Sequence, residues 1–462
     1  MRPRSKQFKA SASAALHQPE LQDALNQLEL GFVAGRANCY ANLPEFESLR
    51  ERAEEVLDHT LGHLDHYLCE YEARVVESGG QVHWASTPAQ ASEIVLRICR
   101  EAEAKSVIRG KSMIGEEIGI NDALEGAGFE VTETDLGEYI LQLAEEPPSH
   151  IVAPAIHKTK EQVSDLFHER HRALGFEKRQ TERSALVAEA REVLRRKFIE
   201  ADVGMTGANF LIAETGSNVI VTNEGNGDLS STLPRVQIVT AAIDKVVPTL
   251  EDASMLLRLL ARSATGQEIS AYTTFTTGPK REKDADGPRE YHVVLVDNHR
   301  SEMLAGELRP MLRCIRCGAC MNHCPVYGRI GGHAYGWVYP GPMGSVLTPT
   351  MVGLEEAGDL PNACTLNGRC ETVCPVRIPL TRMLRSLRSR QHRERLNSRS
   401  ARFALAIWAK VALHPRLYQL LTRPVMSLMA RLGRKSGRFR RVPLAGGWTD
   451  ARDLPAPQGS TF

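Results

Sequence analysis

Seven of the chain's ten cysteines fall between Cys314 and Cys374. The first four read Cys314-Ile-Arg-Cys317-Gly-Ala-Cys320-Met-Asn-His-Cys324-Pro325, the C-x2-C-x2-C-x3-C-P run of bacterial iron–sulfur proteins. Three thiolates two residues apart in a tight loop can each reach a different iron of one cube. Gly318 lets the backbone approach closely, with N–H groups aimed at the sulfides. The fourth cysteine opens a departing helix and ligates a second cluster, and Pro325 fixes the departure. The later set reads Cys364-Thr-Leu-Asn367-Gly-Arg-Cys370-Glu-Thr-Val-Cys374-Pro375, the same frame with Asn367 where the second cysteine would stand. Crossed ligation gives Cys314, Cys317, Cys320 and Cys374 to one cluster, expected as [4Fe–4S]. It gives Cys324, Cys364 and Cys370 to the other, which lacks a fourth thiolate. Asn is a poor soft-metal ligand. Three outcomes stay open there: [3Fe–4S], [4Fe–4S] with a non-Cys ligand, or a labile iron corner that could act as a Lewis acid. Zinc competes for C-x2-C pairs, but it needs only four ligands and rarely a continuous run ending in Pro.

The thiols need elements to hold them. A chain of 462 residues asks for two or three domains. Residues 20–78 carry a broken helical periodicity through Leu49, Val56, Leu57, Leu61, Leu64 and Leu68, and 88–104 repeat it. Then short β-branched runs alternate with helical stretches. The runs are Ser106–Arg109, Glu130–Glu133, His150–Ala153, Asn209–Ala213, Asn218–Thr222, Val236–Thr240 and Tyr291–Asp297. Helical patterns fall at Lys160–Arg170, Glu182–Ile199 and Leu250–Thr265. That alternation predicts an α/β domain with a largely parallel sheet. Lys280–Arg289 reads as an exposed loop, and Gly331–Gly358 as an aperiodic insertion that loops out between the cysteine sets. Its Tyr335, Trp337 and Tyr339 are expected to pack locally. The resulting division is a helical N-terminal region (1–79), the α/β domain (80–300), the cysteine module (301–385) and a basic extension (386–462).

Composition limits the function. The net charge of +1 gives no field suited to nucleic acid. No run of about 18 apolar residues offers a membrane span, and Met1–Leu16 lacks the apolar core of a secretory signal. The cytoplasm is the expected compartment, where clustered thiols serve as metal ligands rather than disulfides. From Arg377 to Arg441 the only acid is Glu394, and Phe403, Leu405, Ile407, Trp408 and Leu413 run between the bases. Such a basic amphipathic segment can lie on the anionic inner face of the membrane or dock on an acidic partner, and the simpler reading is a solvated helical tail packed on its own protein. Val442–Phe462 reads as extended. Cys39, Cys69 and Cys99 are expected as small hydrophobes.

Several segments together resemble the lactate-utilization protein B family, the iron–sulfur-binding subunit of a three-protein L-lactate oxidation system. They are Lys111-Ser-Met-Ile-Gly-Glu-Glu-Ile-Gly-Ile-Asn121, Ala213-Glu-Thr-Gly216, Val221-Thr-Asn-Glu-Gly-Asn226, the paired cysteine motifs and the basic extension. The resemblance covers nearly the full length. It implies a lactate-utilization domain related to the sugar-isomerase and CoA-transferase fold, followed by a helical module like a two-cluster bacterial ferredoxin. It implies two partners: a cysteine-rich iron–sulfur subunit and a smaller protein carrying the α/β domain alone. The family usually has Cys where this chain has Asn367, and Cys364 stands three residues upstream.

Function then divides into three readings. No dinucleotide or flavin fingerprint appears, so the chain is expected to receive electrons from a partner, as a non-catalytic or co-catalytic subunit. The alternative is a CoA- or acyl-transferase-like enzyme with structural clusters, for which Glu214 at a strand end is the candidate nucleophile. Glu214 could equally bind a backbone N–H. The third is a scaffold recruited through the basic tail. The Lys111–Asn121 loop is expected as a turn and a capped helix rather than a phosphate cradle, because Glu116 and Glu117 would repel phosphate. Asn223, Glu224 and Asn226 form a polar tip that could bind a small acid, with a tight turn as the simpler reading.

Overall fold

Parallel strands cannot be joined by hairpins, so β-branched runs separated by helices must stack into a sheet with long crossovers. The computed structural model of the protein has that form, and it describes residues 3–442, 449 and 453–459. Ten strands serve the α/β region: β1 (Gln81–Ala85), β2 (Ser106–Arg109), β3 (Glu130–Glu133), β4 (Val203–Gly207), β5 (Phe210–Ile212), β6 (Ser217–Thr222), β7 (Val236–Ala242), β8 (Val246–Val247), β9 (Tyr272–Thr276) and β10 (Glu290–Val296). Six of them make one sheet in the order β1-β10-β7-β4-β2-β3, with every neighbouring pair parallel. A four-stranded mixed sheet, β8-β5-β6-β9, lies beside it in sequence.

The central strands are buried on both faces, and their side chains alternate between two cores. On β10, Val294 and Val296 face one core while Tyr291, Val293 and Leu295 face the other. β7 divides in the same way, with Ile238 on the first side and Val239 on the second. The chain leaves β2 outward to β3, then returns to β4 on the other flank of β2. The carboxyl ends of β2 and β4 therefore border a topological switch point, where α/β sheets open a crevice.

Two expectations fail here. His150–Ala153 is a loop, not a strand. The His150 Nδ1 accepts from both Val152 N–H and Ala153 N–H at 3.0 Å, so those donors are not free for a ladder. The Gly331–Gly358 segment does not loop out. It contains a helix, Gly341–Val352, that is buried nearly all round. A helix with no solvent face has no periodicity to read. Tyr339 also does more than pack locally, because its hydroxyl donates to Glu117 in the α/β region at 2.5 Å.

The N-terminal helices, including Phe46–Gly62 and Leu64–Glu77, do not form a separate core. Phe46, Leu57 and Leu61 share one apolar cluster with Met311, Leu312, Val346 and Leu384 of the cysteine segment. The chain divides into two compact units, Met1–Leu387 and Arg388–Phe462. The second contains helices Arg399–Ala412 and Pro415–Gly433, and a short antiparallel pairing of Arg438–Phe439 with Leu454–Pro455. The rest of the expected extended tail, 443–448, 450–452 and 460–462, lies outside the described residues. Among the described residues no helix is long and apolar enough to cross a membrane.

Candidate metal centre

The two cysteine loops share one backbone form. Arg316 and Leu366 both adopt positive φ, 59° and 57°, and Gly318 and Gly368 follow at 77° and 79°. A short helix then begins in each loop, Ala319–Asn322 and Arg369–Val373. A non-glycine residue held at positive φ costs on the order of 1 kcal/mol or more. The same strain twice, at matching positions, marks a shape required by what the loops hold. Successive backbone N–H groups in such turns make the anion-binding concavities found at iron–sulfur sites.

Seven thiols sort into two neighbourhoods. Cys314, Cys317, Cys320 and Cys374 line one small apolar cavity, closed by side chains such as Met311, Met343 and Ile378. Cys324, Cys364 and Cys370 act electrostatically on one another, and Cys320 also feels Cys370. Burial first, and then the neighbouring thiols, pushes the Cys317 and Cys320 thiols up. Burial and the Cys364 sulfur push Cys370 up to about 12. Crowded thiols that resist ionisation are the state a bound cation relieves. Backbone donors already face the sulfurs: Leu366 N–H to Cys364 at 3.2 Å, Ile378 N–H to Cys374 at 3.4 Å and Tyr327 N–H to Cys324 at 3.5 Å. Among the described residues no three His, Cys, Asp or Glu side chains converge enough to hold a single metal ion.

Asn367 is exposed, and its Oδ1 accepts from the N–H of Arg369 at 3.0 Å, just ahead of the helix that Gly368 opens. Cys317, at the matching place in the first loop, is buried.

Positive charge comes from elsewhere in the chain. Arg50 donates to the Cys374 carbonyl through Nε at 3.0 Å and Nη2 at 2.7 Å, and Arg36 donates to the Val373 carbonyl at 2.8 Å. From the other side Lys245 Nζ donates to the Cys314 carbonyl at 2.8 Å. Lys245 belongs to a buried web. It pairs with Asp244 at 2.5 Å, Asp244 pairs with Arg300 at 2.9 Å, and Arg300 holds Glu117 through two 2.8 Å bonds. Burial alone would raise Asp244, but Lys245 and Arg300 outweigh it and hold the carboxyl at about 2. Sequence reasoning missed these residues, since no local pattern links Arg50 to Cys374.

The α/β candidates separate. Glu214 is exposed in the β5–β6 turn, and its Oε1 accepts from Leu250 N–H at 2.6 Å at the start of helix Leu250–Ala264. The Lys111–Asn121 segment forms a helix from Met113 with Ser112 as its cap, its hydroxyl accepting from Gly115 N–H at 3.2 Å. Glu116 and Glu117 are paired with Arg109 and Arg300. Asn223, Glu224 and Asn226 line a cavity of about 260 Å³ at the carboxyl ends of β2, β4 and β7, together with Lys111, Ala208 and Arg316. Of the outlying cysteines, Cys39 donates to the Gly266 carbonyl at 2.7 Å, Cys99 is buried with its thiol pushed to about 12, and Cys69 is exposed.

Residues 68–296 match the family model described as the LUD domain, and residues 310–378 match the 4Fe-4S dicluster domain. An "Uncharacterized electron transport protein YkgF" of Escherichia coli (strain K12) is 41% identical over 461 residues, covering 98% of this chain and 95% of that one. "Lactate utilization protein B" of Bacillus pumilus (strain SAFR-032) is 42% identical over 462 residues, covering 99% and 96%. The protein of the same name in Geobacillus thermodenitrificans (strain NG80-2) is 43% identical over 450 residues, covering 95% and 93%.

Proposed function

The chain belongs to the lactate utilization protein B family, and from that premise we propose that it is the iron–sulfur electron-transfer subunit of a multi-protein complex oxidising L-lactate to pyruvate. The observation that carries this reading is the gathering of Cys314, Cys317, Cys320 and Cys374 around one apolar cavity, with Cys324, Cys364 and Cys370 as a second set. In this reading residues 301–385 form a ferredoxin-like two-cluster module. The first set holds a [4Fe–4S] cluster, and the second holds a [4Fe–4S] or [3Fe–4S] cluster on three thiols. Such clusters, when bound, accept and release single electrons. The chain's own residues supply the setting. The apolar wall excludes water from the first set. Arg50 and Lys245 fix the Cys374 and Cys314 carbonyls, Arg36 fixes the Val373 carbonyl beside them, and the three bring positive charge near thiolates that would otherwise repel each other.

The proposed partners are a cysteine-rich iron–sulfur subunit and a smaller lactate-utilization-domain protein, in the cytoplasm. The bases of Arg399–Gly433 suit peripheral contact with an anionic membrane face. An acyl-transferase reading would require Glu214 to leave the Leu250 N–H and attack from an exposed turn.

The test is iron, sulfide and zinc analysis of the full chain purified without oxygen, with absorption followed through reduction and reoxidation. Roughly seven or eight irons per chain, bleaching with dithionite and recovering with an oxidised partner, is the expected result. Little iron with stoichiometric zinc, or clusters that never bleach, would remove the electron-transfer role.

A further inference from the structure

The cavity of about 260 Å³ is not explained by electron transfer. It opens where β2, β4 and β7 end, beside the switch point, which is where α/β folds place ligands. Gly207 makes the opening possible at the end of β4: a Cβ there would meet the Ser112 hydroxyl at 2.8 Å. The far wall comes from the cysteine segment, through Ile315, Arg316 and Tyr339. Ile151 and Ile315 line both this cavity and the small one bounded by Cys314, Cys317, Cys320 and Cys374, so the two share a wall.

The charges on the lining are unequal in their needs. Arg300 is satisfied by Glu117 and Asp244, and Lys245 by Asp244 and the Cys314 carbonyl. Lys111 donates to the Val152 carbonyl at 2.7 Å and faces the acids Asp135, Glu138 and Glu224. Arg316 differs. Its guanidinium lies over the Tyr339 ring at 4.7 Å and reaches the Met343 sulfur at 3.3 Å. Among the described residues no carboxylate lies within ion-pairing distance of it. A guanidinium with free N–H donors on a cavity wall is a fork for a carboxylate. A second orphan points to the same space: Asn226, only 4% exposed, lines the cavity, and its Oδ1 has no partner. A buried acceptor without a donor is costly, and a ligand hydroxyl supplies one. Asp135 and Glu224 on the lining disfavour dianions such as phosphate.

We propose that this cavity binds a small hydroxy-monocarboxylate, with its carboxylate on Arg316, its hydroxyl available to Asn226, and the thiol-lined cavity behind the Ile151–Ile315 wall. The site would put an organic acid next to the first cysteine set within one chain. It stands apart from the electron-relay reading, because its walls are side chains whether or not the thiols hold iron.

The test is calorimetric titration of the full chain, purified without oxygen, with L-lactate, lactamide and inorganic phosphate, while visible absorption reports the clusters independently. L-lactate should bind, and the neutral lactamide should bind about tenfold or more weakly, the loss expected when a charge-assisted pair is removed. Phosphate should bind no better than lactamide. Arg316→Gln should weaken L-lactate by a similar factor, and Arg316→Lys by less. Arg316 lies between two cysteines of the motif, so Ala208→Leu gives a second variant that fills the cavity away from the thiols; it should abolish binding with the visible spectrum unchanged. Equal binding of lactate and lactamide, no binding of either, tighter binding of phosphate, or unimpaired binding by Ala208→Leu would each overturn the proposal. A normal titration in protein without clusters would support this site while removing the relay.

Discussion

Asn367 is the residue on which the second cysteine set turns. It stands in the place of Cys317, within a loop that repeats the same positive φ values on either side of it. Its backbone is thus shaped for a ligand, while its side chain is exposed and spent on Arg369 N–H. Asn offers a hard amide oxygen to a site built for soft thiolates. Three thiols can complete a three-iron cluster, so the wild-type chain should hold iron nearer seven than eight per molecule. Asn367→Cys should add about one iron per chain and abolish the EPR signal of an oxidised three-iron cluster. Losing this one exposed hydrogen bond should cost only about 1 kcal/mol of stability. A wild-type chain already at eight irons and unmoved by the substitution would mean that another donor completes the second set.

At the scale of elements, legibility followed locality. The cysteine spacing could be read because ligands of one loop lie a few residues apart. Strands such as Val236–Ala242 could be read because β-branched runs are local too. Val203–Gly207 was missed because Gly204 and Gly207 dilute the run, although a Cβ at Gly204 would collide with the Ser230 carbonyl at 1.9 Å. Gly341–Val352 was missed because Pro342, Pro349 and two glycines speak against a helix, and because no polar face remained to show a period. The C-terminal helices were the opposite case. Arg399–Ala412 and Pro415–Gly433 leave Phe403, Trp408, Leu413 and Leu420 more than 60% exposed, and no Asp or Glu lies between Arg395 and Arg441. Large apolar side chains interleaved with bases suit a lipid interface carrying negative charge. The full chain should therefore sediment with vesicles containing phosphatidylserine, bind far less to neutral phosphatidylcholine vesicles, and be released by salt. Trp408→Ser with Phe403→Ser should weaken binding to the anionic vesicles about tenfold or more. Equal partition onto both vesicle types would leave the bases without this role.

Across the whole molecule, what the sequence could not convey is how distant segments meet at the cysteines. Arg36 and Arg50 arrive from the N-terminal helices, Lys245 from the strand region, and His150 from a loop expected to be a strand. His150 shows the energetic consequence of that convergence. It is 1% exposed, and because its Nδ1 accepts two N–H groups, its Nε2–H donates to Asn322 at 2.8 Å. Burial lowers its pKa to about 4. Burial and then His333 lower His157 to about 4 as well, against the pull of Glu146. Both folded values lie below the ordinary 6.5, so between about pH 6.5 and 4 the unfolded chain binds protons that the native chain refuses. Stability must then fall as the pH drops through that window, by up to about 1.4 kcal/mol per pH unit for each histidine. Thermal unfolding at pH 7 and pH 5 should show the loss. His157→Gln keeps a side chain able to hydrogen-bond Glu146 but cannot titrate, so its midpoint should fall less over the same interval. Acid lability of bound iron would act on both chains alike, which leaves the difference between their slopes as the measure of His157. Identical slopes would mean that His157 takes up its proton in the native state as readily as in the unfolded chain, so that burial does not hold it neutral.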